Sequence, residues 1–551
     1  MSAPGNADGQ RDERTANTAR TPTDHPGVSA SFTFRVDDGD MAIAEHLEIE
    51  TKFDVDTALA LPVLTGLPGV LEVAGPTEHQ LDATYFDTSG LALAAAKVTL
   101  RRRTGGEDAG WHLKLPLAEQ TRREVRAPLT AGDGADSVLA ELLGAVRVLI
   151  RDHALAAVAT LSTRRLVYLL LGENGVVLAE VCDDSVTAVV PGDVVRADAW
   201  REWEVELVDG SRELLEAAGV ALTTAGATAS GHASKLVRAL GPAAPSVTPS
   251  SFDLPARPTA AEVLTTYVQN QIAEIKRLDP AFRADDPEAL HDLRVAVRRL
   301  RSVLATYRPL LENAPVVELR DGLRWLGGTL GEARDAEVLR AELKEAVGGQ
   351  PAELVLGSVA VRIDDDLSTS YQRGRAVALA ALDETRYFRL LDQLDAVVAE
   401  PPLSPLGSKQ ALKVVPALVA KDWRRLRRLA RRAESVTDDP ARGHALHEVR
   451  KAAKRLRYGA EAAHPLIGRK AARLAAAAKN IQTILGVHHD TVVIREVLRR
   501  LAIEAHLAGD NSFTYGRLHA LAQVRASKAD ARYRNAWAGF PAPKIARWSS
   551  V

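Results

Sequence analysis

Glu48, Glu50 and Lys52 alternate with Ile49 and Thr51 in the run HLEIETKF, so a strand over these residues presents two carboxylates and an ammonium on one face. The pattern returns along the chain: Arg101 with Arg103, Arg122 with Glu124 and Arg126, Glu180 with Cys182 and Asp184, and Glu202 with Glu204 and Glu206. The intervening positions carry Leu100, Val125, Val181, Trp203, Val205 and Leu207. One such strand alone reads as a half-buried strand with a solvated face. Its recurrence suits strands closed into a barrel with their charged faces inward, which makes a tunnel lined by both signs of charge. Carboxylates hold hard divalent cations through oxygen, and Arg and Lys hold phosphate oxygens, so the mixture fits a metal-bound polyphosphate. Burying so many ions without ligand or water is costly.

A second pattern is cationic. Residues 291–301, HDLRVAVRRLR, match residues 447–457, HEVRKAAKRLR, 156 positions apart. His291, Arg294, Arg298 and Arg301 fall at steps of four and three, as do His447, Arg450, Lys454 and Arg457, which keeps each set on one helix face. Such a face repels itself unless it is solvated or an anion neutralises it. A single arginine of this kind is usually a solvated, weakly paired group; the duplication favours the anion. LGEARDAEV, residues 330–338, answers to LGVHHDTVV, residues 485–493, at an offset of 155, with His489 in the place of Arg334 beside Asp335 or Asp490. Two landmarks at nearly one offset imply a tandem duplication of a helical bundle, with a pseudo-twofold relation between the copies. Bases in KDWRRLRRLARR, residues 421–432, would widen the field.

The elements that position these residues follow from composition. A chain of 551 residues suggests roughly two to four domains at about 150 residues each. Residues 1–40, poor in apolar side chains, read as a disordered tail, and Met41, one of two methionines, falls where the strand pattern begins and is a candidate start that intact mass would test. From Glu45 to about Leu240 short alternating runs between Gly, Asp and Asn turns predict an antiparallel sheet or barrel, placed at 41–242. Residues 243–258, dense in Pro, Ser and Ala, read as a linker. Residues 259–551 are rich in Ala, Leu, Arg and Glu at helical period. The expected fold class is thus α+β multidomain: an antiparallel β-barrel or tunnel, then an all-α domain of two duplicated bundles.

The net charge of -2 hides a local excess, since residues 421–457 hold 13 Lys or Arg against 5 Asp or Glu. Cys182 is the single cysteine, which rules out an internal disulfide and a cysteine-based zinc site and fits a reducing compartment, read here as the cytoplasm. Zinc on histidine is poorly supported, because His488 and His489 are adjacent and lack a regular partner pair. No apolar run approaches the length of a spanning helix, so membrane insertion is not expected. The basic helices lack interleaved aromatics, and aromatic content is 5%, so specific nucleic-acid recognition is not expected either. No Gly-rich phosphate fingerprint is present.

The run Glu48, Glu50, Lys52 resembles the ExExK signature of the CYTH, or triphosphate tunnel metalloenzyme, superfamily, which includes inorganic triphosphatases, thiamine triphosphatases, class IV adenylate cyclases and fungal RNA triphosphatases. YFDT at Tyr85–Thr88, LRRR at Leu100–Arg103, HLKLP around Lys114, the pair Arg122 and Glu124, Arg165 in STRRLVY, EVCDD from Glu180, WEVEL at Trp203–Leu207 and the pair Ser234 and Lys235 follow in the family's order. The resemblance implies that Glu48, Glu50, Glu204 and Glu206, with Asp184, hold Mg2+ or Mn2+. Lys52, Arg101, Arg103, Lys114, Arg122, Arg165 and Lys235 would hold the triphosphate, with Glu50 and Lys52 central to catalysis and Lys52 orienting the attacking water or leaving group. Asp183 competes for the metal role; Asp184 is preferred because it shares the face of Glu180 if the strand stays regular. HDLRVAVRRLR and its repeat look like the CHAD domain, which commonly accompanies CYTH and is associated with polyphosphate. That resemblance implies a polyphosphate surface of His291, Arg294, Arg298, Arg299, Arg301, Arg334, His447, Arg450, Lys454, Arg455 and Arg457.

The two halves agree on one ligand class. The expected activity is metal-dependent hydrolysis of inorganic triphosphate or short-chain polyphosphate, an inorganic triphosphatase whose helical domain binds polyphosphate. A polyphosphate-binding or granule-associated protein with little turnover is the second reading, and a thiamine triphosphatase or adenylate cyclase type of tunnel enzyme the third.

Overall fold

The computed structural model of the chain describes residues 44–118, 120–129, 142–192, 195–245, 254–437 and 439–541. The expected tail at 1–40 and residues 246–253 of the expected linker lie outside the described residues. Two compact units emerge: one of residues up to Asp87, Lys97–Thr130 and Ala157–Ala244, the other of Thr88–Ala96, Ala131–Ala156 and Pro245 onward.

The first unit is built from β1 (Ala44–Val55), β2 (Glu72–Asp87), β3 (Thr99–Thr104), β4 (Gly110–Ala118), β5 (Thr121–Pro128), β6 (Ala156–Leu171), β7 (Val177–Val190), β8 (Arg196–Leu207) and the short β9 (Thr228–Ala229). Hydrogen bonding runs β5–β4–β3–β2–β6–β7–β8–β1, and β1 pairs back to β5, closing an antiparallel ring of eight. Closure leaves no free edge among these strands. Register then fixes what the interior holds. Glu50 lies opposite Glu206 and Lys52 opposite Glu204; Glu202 lies opposite Asp184, which lies opposite Arg165; Lys114 lies opposite Glu124, and Arg101 opposite Tyr85. Because side chains alternate, every charged set read from the sequence falls on this same side.

The other side is apolar and packed. Helix α1 (Arg212–Thr224) starts where the Ser211 hydroxyl accepts from the Leu214 amide at 3.3 Å, and it lays Leu214, Leu215, Ala218 and Leu222 against Phe53, Val181, Trp203 and Val205. The stability of the ring therefore comes from its outer coat, which leaves the interior free to be charged. The β3–β4 turn requires glycine at Gly105, whose φ is +79° and where a Cβ would lie 2.1 Å from the Gln80 carbonyl oxygen. That turn carries Asp108 to the Arg103 guanidinium.

The second unit is helical: α3 (Ala260–Arg283), α4 (Ala289–Thr306), α5 (Asn313–Gly348), α6 (Val359–Leu382), α7 (Thr385–Ala399), α8 (Ala411–Glu434), α9 (Asp439–Ala462), α10 (Arg469–Leu507) and α11 (Phe513–Ala538). The label α2 is kept for Lys235–Leu240 of the first unit. A capping box opens α3, in which Thr259 Oγ1 accepts from the Glu262 amide at 3.2 Å and the Glu262 carboxylate accepts from the Thr259 amide at 2.6 Å. The duplication is visible helix for helix: α3, α4, α5 and α6 answer to α8, α9, α10 and α11, with α5 and α10 both long at 36 and 39 residues. One core runs through α3–α5 and α7–α10 and takes in Ala378 and Leu382 of α6 and Tyr533 of α11; a second joins the far ends of α5 and α10 to α6 and α11. The segment around Arg147–Ile150 also belongs here, with Val148 in the larger core and Arg151 paired to Asp392 and Asp395.

Candidate active site and polyanion cleft

The interior of the ring is a cavity of about 1220 Å³ lined by Glu48, Glu50, Lys52, Arg101, Arg103, Lys114, Arg122, Arg165, Glu204, Glu206 and Lys235, among others. Most tunnel residues expected from the sequence thus converge on one space; Asp184 is fully buried and does not line it, but pairs with Arg165 and Lys235, which do. Lys52 Nζ bridges Glu50 at 2.8 Å and Glu204. Lys114 Nζ contacts both Glu48 oxygens, at 2.8 and 2.7 Å, and reaches Glu124 at 3.6 Å. Arg165 forks onto Asp184 at 2.8 and 2.6 Å and touches Glu204 at 2.7 Å. Lys235, the first residue of α2, is aimed inward because the Ser234 hydroxyl caps that helix; it meets Asp184 at 2.9 Å, Glu202 at 2.7 Å and Glu204 at 2.8 Å. Arg122 Nε stands 3.6 Å from Glu50, and Arg101 Nη1 3.4 Å from the Tyr85 hydroxyl.

These contacts divide the carboxylates into two groups. Asp184, Glu202 and Glu204 bring one oxygen each within 4.8 Å of one another and are neutralised by Lys235, Arg165 and Lys52. Glu206 forms no ion pair among the described residues, and burial, then the nearby Glu48 charge, push its carboxyl up to about 7. Burial would raise Glu50 as well, but Lys52 and Lys114 outweigh it and hold it down at about 2. Burial likewise opposes the charge on Lys52, yet Glu204 and Glu50 keep its ammonium above the ordinary range. Arg103 is pushed down to about 9 by burial and then by Arg101 and Arg165, the mark of a base crowded by bases.

Two participants were not singled out as site residues from the sequence. Glu202, read there only as a member of a charged strand face, completes the acidic triad. His112 is fully buried, with Nδ1 2.9 Å from Glu124 Oε1 and Nε2 2.9 Å from the Asp108 carbonyl oxygen; it fixes the carboxylate that Lys114 and Arg101 face. Position alone held the signal, since His112 is two residues before Lys114 on the same strand. Asp183 points away from the cavity and pairs with Arg201 at 2.7 Å, while Asp184 lies on the cavity side.

In the helical unit the duplicated stripes lie on α4 and α9. Arg294, Arg298, Arg450 and Lys454 act on one another electrostatically, so the two stripes adjoin in one basic cluster, the candidate polyanion cleft. Lys454 and Arg450 form no ion pair among the described residues; burial, then Arg450, Arg298 and Arg294, push the Lys454 ammonium down to about 7. Arg294 reaches Asp335 at 2.6 Å and Arg298 donates to the Tyr458 hydroxyl at 3.1 Å. The repeat extends to a seat: a Cβ at Gly331 would lie 3.5 Å from the Arg294 guanidinium, and one at Gly486 3.4 Å from that of Arg450. Arg301 faces Arg324, Arg298 and Arg320, and the α5 bases Arg320 and Arg324 were not singled out from the sequence.

Other expected cleft residues are engaged elsewhere. Arg455 holds the buried Asp422 at 2.8 Å and the Ala305 carbonyl oxygen at 2.6 Å. Arg457 holds Glu461 at 2.6 Å, Arg299 stands 3.7 Å from the same carboxylate, and Arg334 pairs with Glu337 at 2.8 Å. His291 is lowered by burial and then by Arg334. His447 is pushed down to about 4 by burial and then by His489, whose ring centroid is 4.3 Å away. The buried Nδ1 of His447 has no hydrogen-bond partner among the described residues. Among the described residues no helix is long and apolar enough to cross a membrane.

A closed antiparallel ring with both signs of charge inside, followed by a duplicated helical array, defines a tunnel-fold protein with an appended helical domain. The CYTH domain family matches residues 46–240 and the CHAD domain family residues 266–499. The chain belongs to the family in which a CYTH domain is followed by a CHAD domain. It is 42% identical over 495 residues to an uncharacterised protein of Mycobacterium tuberculosis strain H37Rv, covering 86% of this chain and 93% of that one, and equally to its counterpart in strain CDC 1551 / Oshkosh. Among solved structures, the CHAD domain of the plant Ricinus communis is 30% identical over 53% of this chain and 96% of its own, with a TM-score of 0.44. PptA from Streptomyces chartreusis is 21% identical over 51% of this chain and 99% of its own, with a TM-score of 0.43.

Proposed function

We propose that the tunnel hydrolyses a terminal phosphoanhydride bond of inorganic triphosphate or a short-chain polyphosphate with Mg2+ or Mn2+, and that the helical unit binds longer polyphosphate in the cytoplasm. What supports this most is the interior of the ring, where Arg101, Arg103, Lys114, Arg122, Arg165 and Lys235 stand beside Glu48, Glu50, Glu204 and Glu206 in one cavity. The donor set fits a hard cation: Glu206 lies opposite Glu50, beside Glu48, and its raised pKa reports carboxylates short of positive charge. Glu48, Glu50 and Glu206 would hold the metal, with Asp184 and Glu204 joining once an anion draws Arg165 and Lys235 toward itself. A cation there supplies neutralisation and polarisation of phosphoryl oxygens.

The chain's own residues do the rest. The arginines hold the phosphates in line, and because Lys52 keeps its proton, it serves as a charge and donor at the leaving or bridging oxygen rather than as a base. Loose phosphoryl transfer asks for little more than that positioning and charge. The test is phosphate release from inorganic triphosphate with Mg2+, Mn2+ or chelator, beside ATP and thiamine triphosphate. Metal-dependent release fastest from inorganic triphosphate is expected. No release from any substrate, with polyphosphate still bound, would replace the enzyme with a binding protein.

The cleft makes a separate prediction through Lys454. With a free pKa of about 7, this lysine is charged below that pH and binding gains no proton there. A bound polyanion raises the pKa, so above about pH 7 each binding event takes up a proton and affinity falls by up to about tenfold per pH unit. Calorimetry at pH 8 in buffers of different ionisation enthalpy should show proton uptake, which Lys454→Arg removes. Equal heats in all buffers would contradict it. The histidines do not confuse the reading, since His447 titrates near 4 and both His291 and His489 are shifted downward by burial and neighbouring cations.

A further inference from the structure

Helix α8 carries a second basic surface that the cleft does not use. Lys421, Arg424, Arg425, Arg427, Arg428, Arg431 and Arg432 are all exposed, and none forms an ion pair among the described residues. At 3.6 residues per turn they occupy an arc of about 160°, centred opposite the side that buries Asp422, Leu426, Ala430 and Ala433. The buried side is where α8 meets α9 and α4: Asp422 takes Arg455 at 2.8 Å and the Thr306 hydroxyl at 2.6 Å. The basic arc therefore points away from both stripe-bearing helices, and the charges acting most strongly on Arg450, Lys454 and Arg301 come from other residues. The expectation from sequence that these bases widen the cleft's field is not met; they form a face of their own.

A run of charge on a helix is usually a solvated face with paired neighbours, and this protein pairs its surface bases in that way elsewhere. Arg277 has Glu274, Arg324 has Asp321, Arg340 has Asp364 and Arg500 has Asp366 and Glu504. On α8 the bases instead stack on one another at steps of three and four, which destabilises the helix, with no acid exposed between Lys421 and Arg432. A polyanion lying along the arc removes that repulsion. The bases span about 17 Å at 1.5 Å per residue, a ladder that suits a flexible linear chain of phosphates. Base stacking has no platform here: Trp423, the aromatic of this stretch, has its ring under Arg427 at 5.4 Å and its indole N–H directed at the Pro541 carbonyl oxygen at 3.4 Å.

We propose that the outward face of α8 is a second binding surface for inorganic polyphosphate, distinct from the cleft, so that one protein engages a long chain at two places. This rests on the reading of the helical unit as polyphosphate-binding. The experiment is a calorimetric titration of the full chain with long-chain polyphosphate and with a 20-base-pair DNA duplex. It compares wild type, the cleft variant Arg294→Ala, Arg298→Ala, Arg450→Ala, Lys454→Ala, and the face variant Arg424→Gln, Arg425→Gln, Arg428→Gln, Arg431→Gln. Gln keeps helix propensity, and all four face positions are exposed, so folding is preserved. Wild type should show two classes of site. The face variant should lose the more salt-sensitive class, with the slope of log affinity against log salt falling by about 3 for four lost phosphate contacts. The cleft variant should keep that class. Loss of all polyphosphate binding in the cleft variant, or an unchanged titration in the face variant, overturns the second surface while leaving the cleft standing. Absence of polyphosphate binding in wild type overturns both readings. Binding of duplex DNA at the face as tightly as polyphosphate would make that face a nucleic-acid surface instead.

Discussion

Glu50→Gln is expected to lower the rate of metal-dependent phosphate release about 100-fold to 1000-fold while long-chain polyphosphate binding stays within about twofold of wild type. The carboxylate lies opposite Glu206 across β1 and β8, 2.8 Å from Lys52 and 3.6 Å from Arg122. The amide removes one anionic donor for the cation and leaves Lys52 with Glu204 alone, so metal affinity and orientation of the reacting phosphoryl group fail together. The substitution is isosteric, and the apolar coat of Phe53, Trp203 and Leu214 that stabilises the ring lies on the other face of the strands, so the fold is retained. Glu45→Gln is the matched control, because Glu45 pairs with Arg123 on the outer face, where both are partly exposed. Single-turnover phosphate release across a Mg2+ or Mn2+ series separates the two losses. Turnover of Glu50→Gln within twofold of wild type would remove the tunnel assignment.

The ring was legible because its information is local. A period of two puts Glu48, Glu50 and Lys52 on one side whatever else the chain does, and the same parity puts Asp184 rather than Asp183 on that side, since β7 stays regular through both. The tandem helices were legible for a related reason, since a duplicated sequence must fold twice. Pairing across the sequence was not legible. Nothing near Arg455 announces that Asp422 holds it, and nothing near Lys235 announces the three carboxylates it meets. Arg320 joined the basic surface unannounced because the repeat carries an alanine, Ala475, in its place, and Arg324, which answers to Lys479, because it lies outside the two stretches whose match is evident in the sequence. Thr88–Ala96 and the described residues 142–156 read as part of the strand half, yet by contact they belong to the helical unit, a matter of tertiary packing that periodicity does not encode.

The cleft gives the second large effect. Replacing Arg294, Arg298, Arg450 and Lys454 together by Ala should weaken the tighter class of polyphosphate binding at least about 100-fold, since charge-assisted contacts are each worth roughly 1.5–3 kcal/mol and do not add fully. Salt dependence should fall with it, because fewer phosphates are neutralised. What distinguishes a binding role from a structural one is the ligand-free protein. If these bases hold the helices together, removing four of them must lower the thermal midpoint. If they are a self-repelling cluster that awaits an anion, removal relieves repulsion and the midpoint stays or rises at low salt. The structure favours the second outcome: Lys454 and Arg450 have no ion pair among the described residues, and Lys454 is driven down to about 7 by burial and by the bases around it. Circular dichroism melts with and without polyphosphate read both quantities, and wild type should gain more stabilisation from the ligand than the variant, which keeps only the α8 face. A variant that melts well below wild type yet binds polyphosphate with equal affinity would show that the duplicated stripe is a packing device and that the anion goes elsewhere.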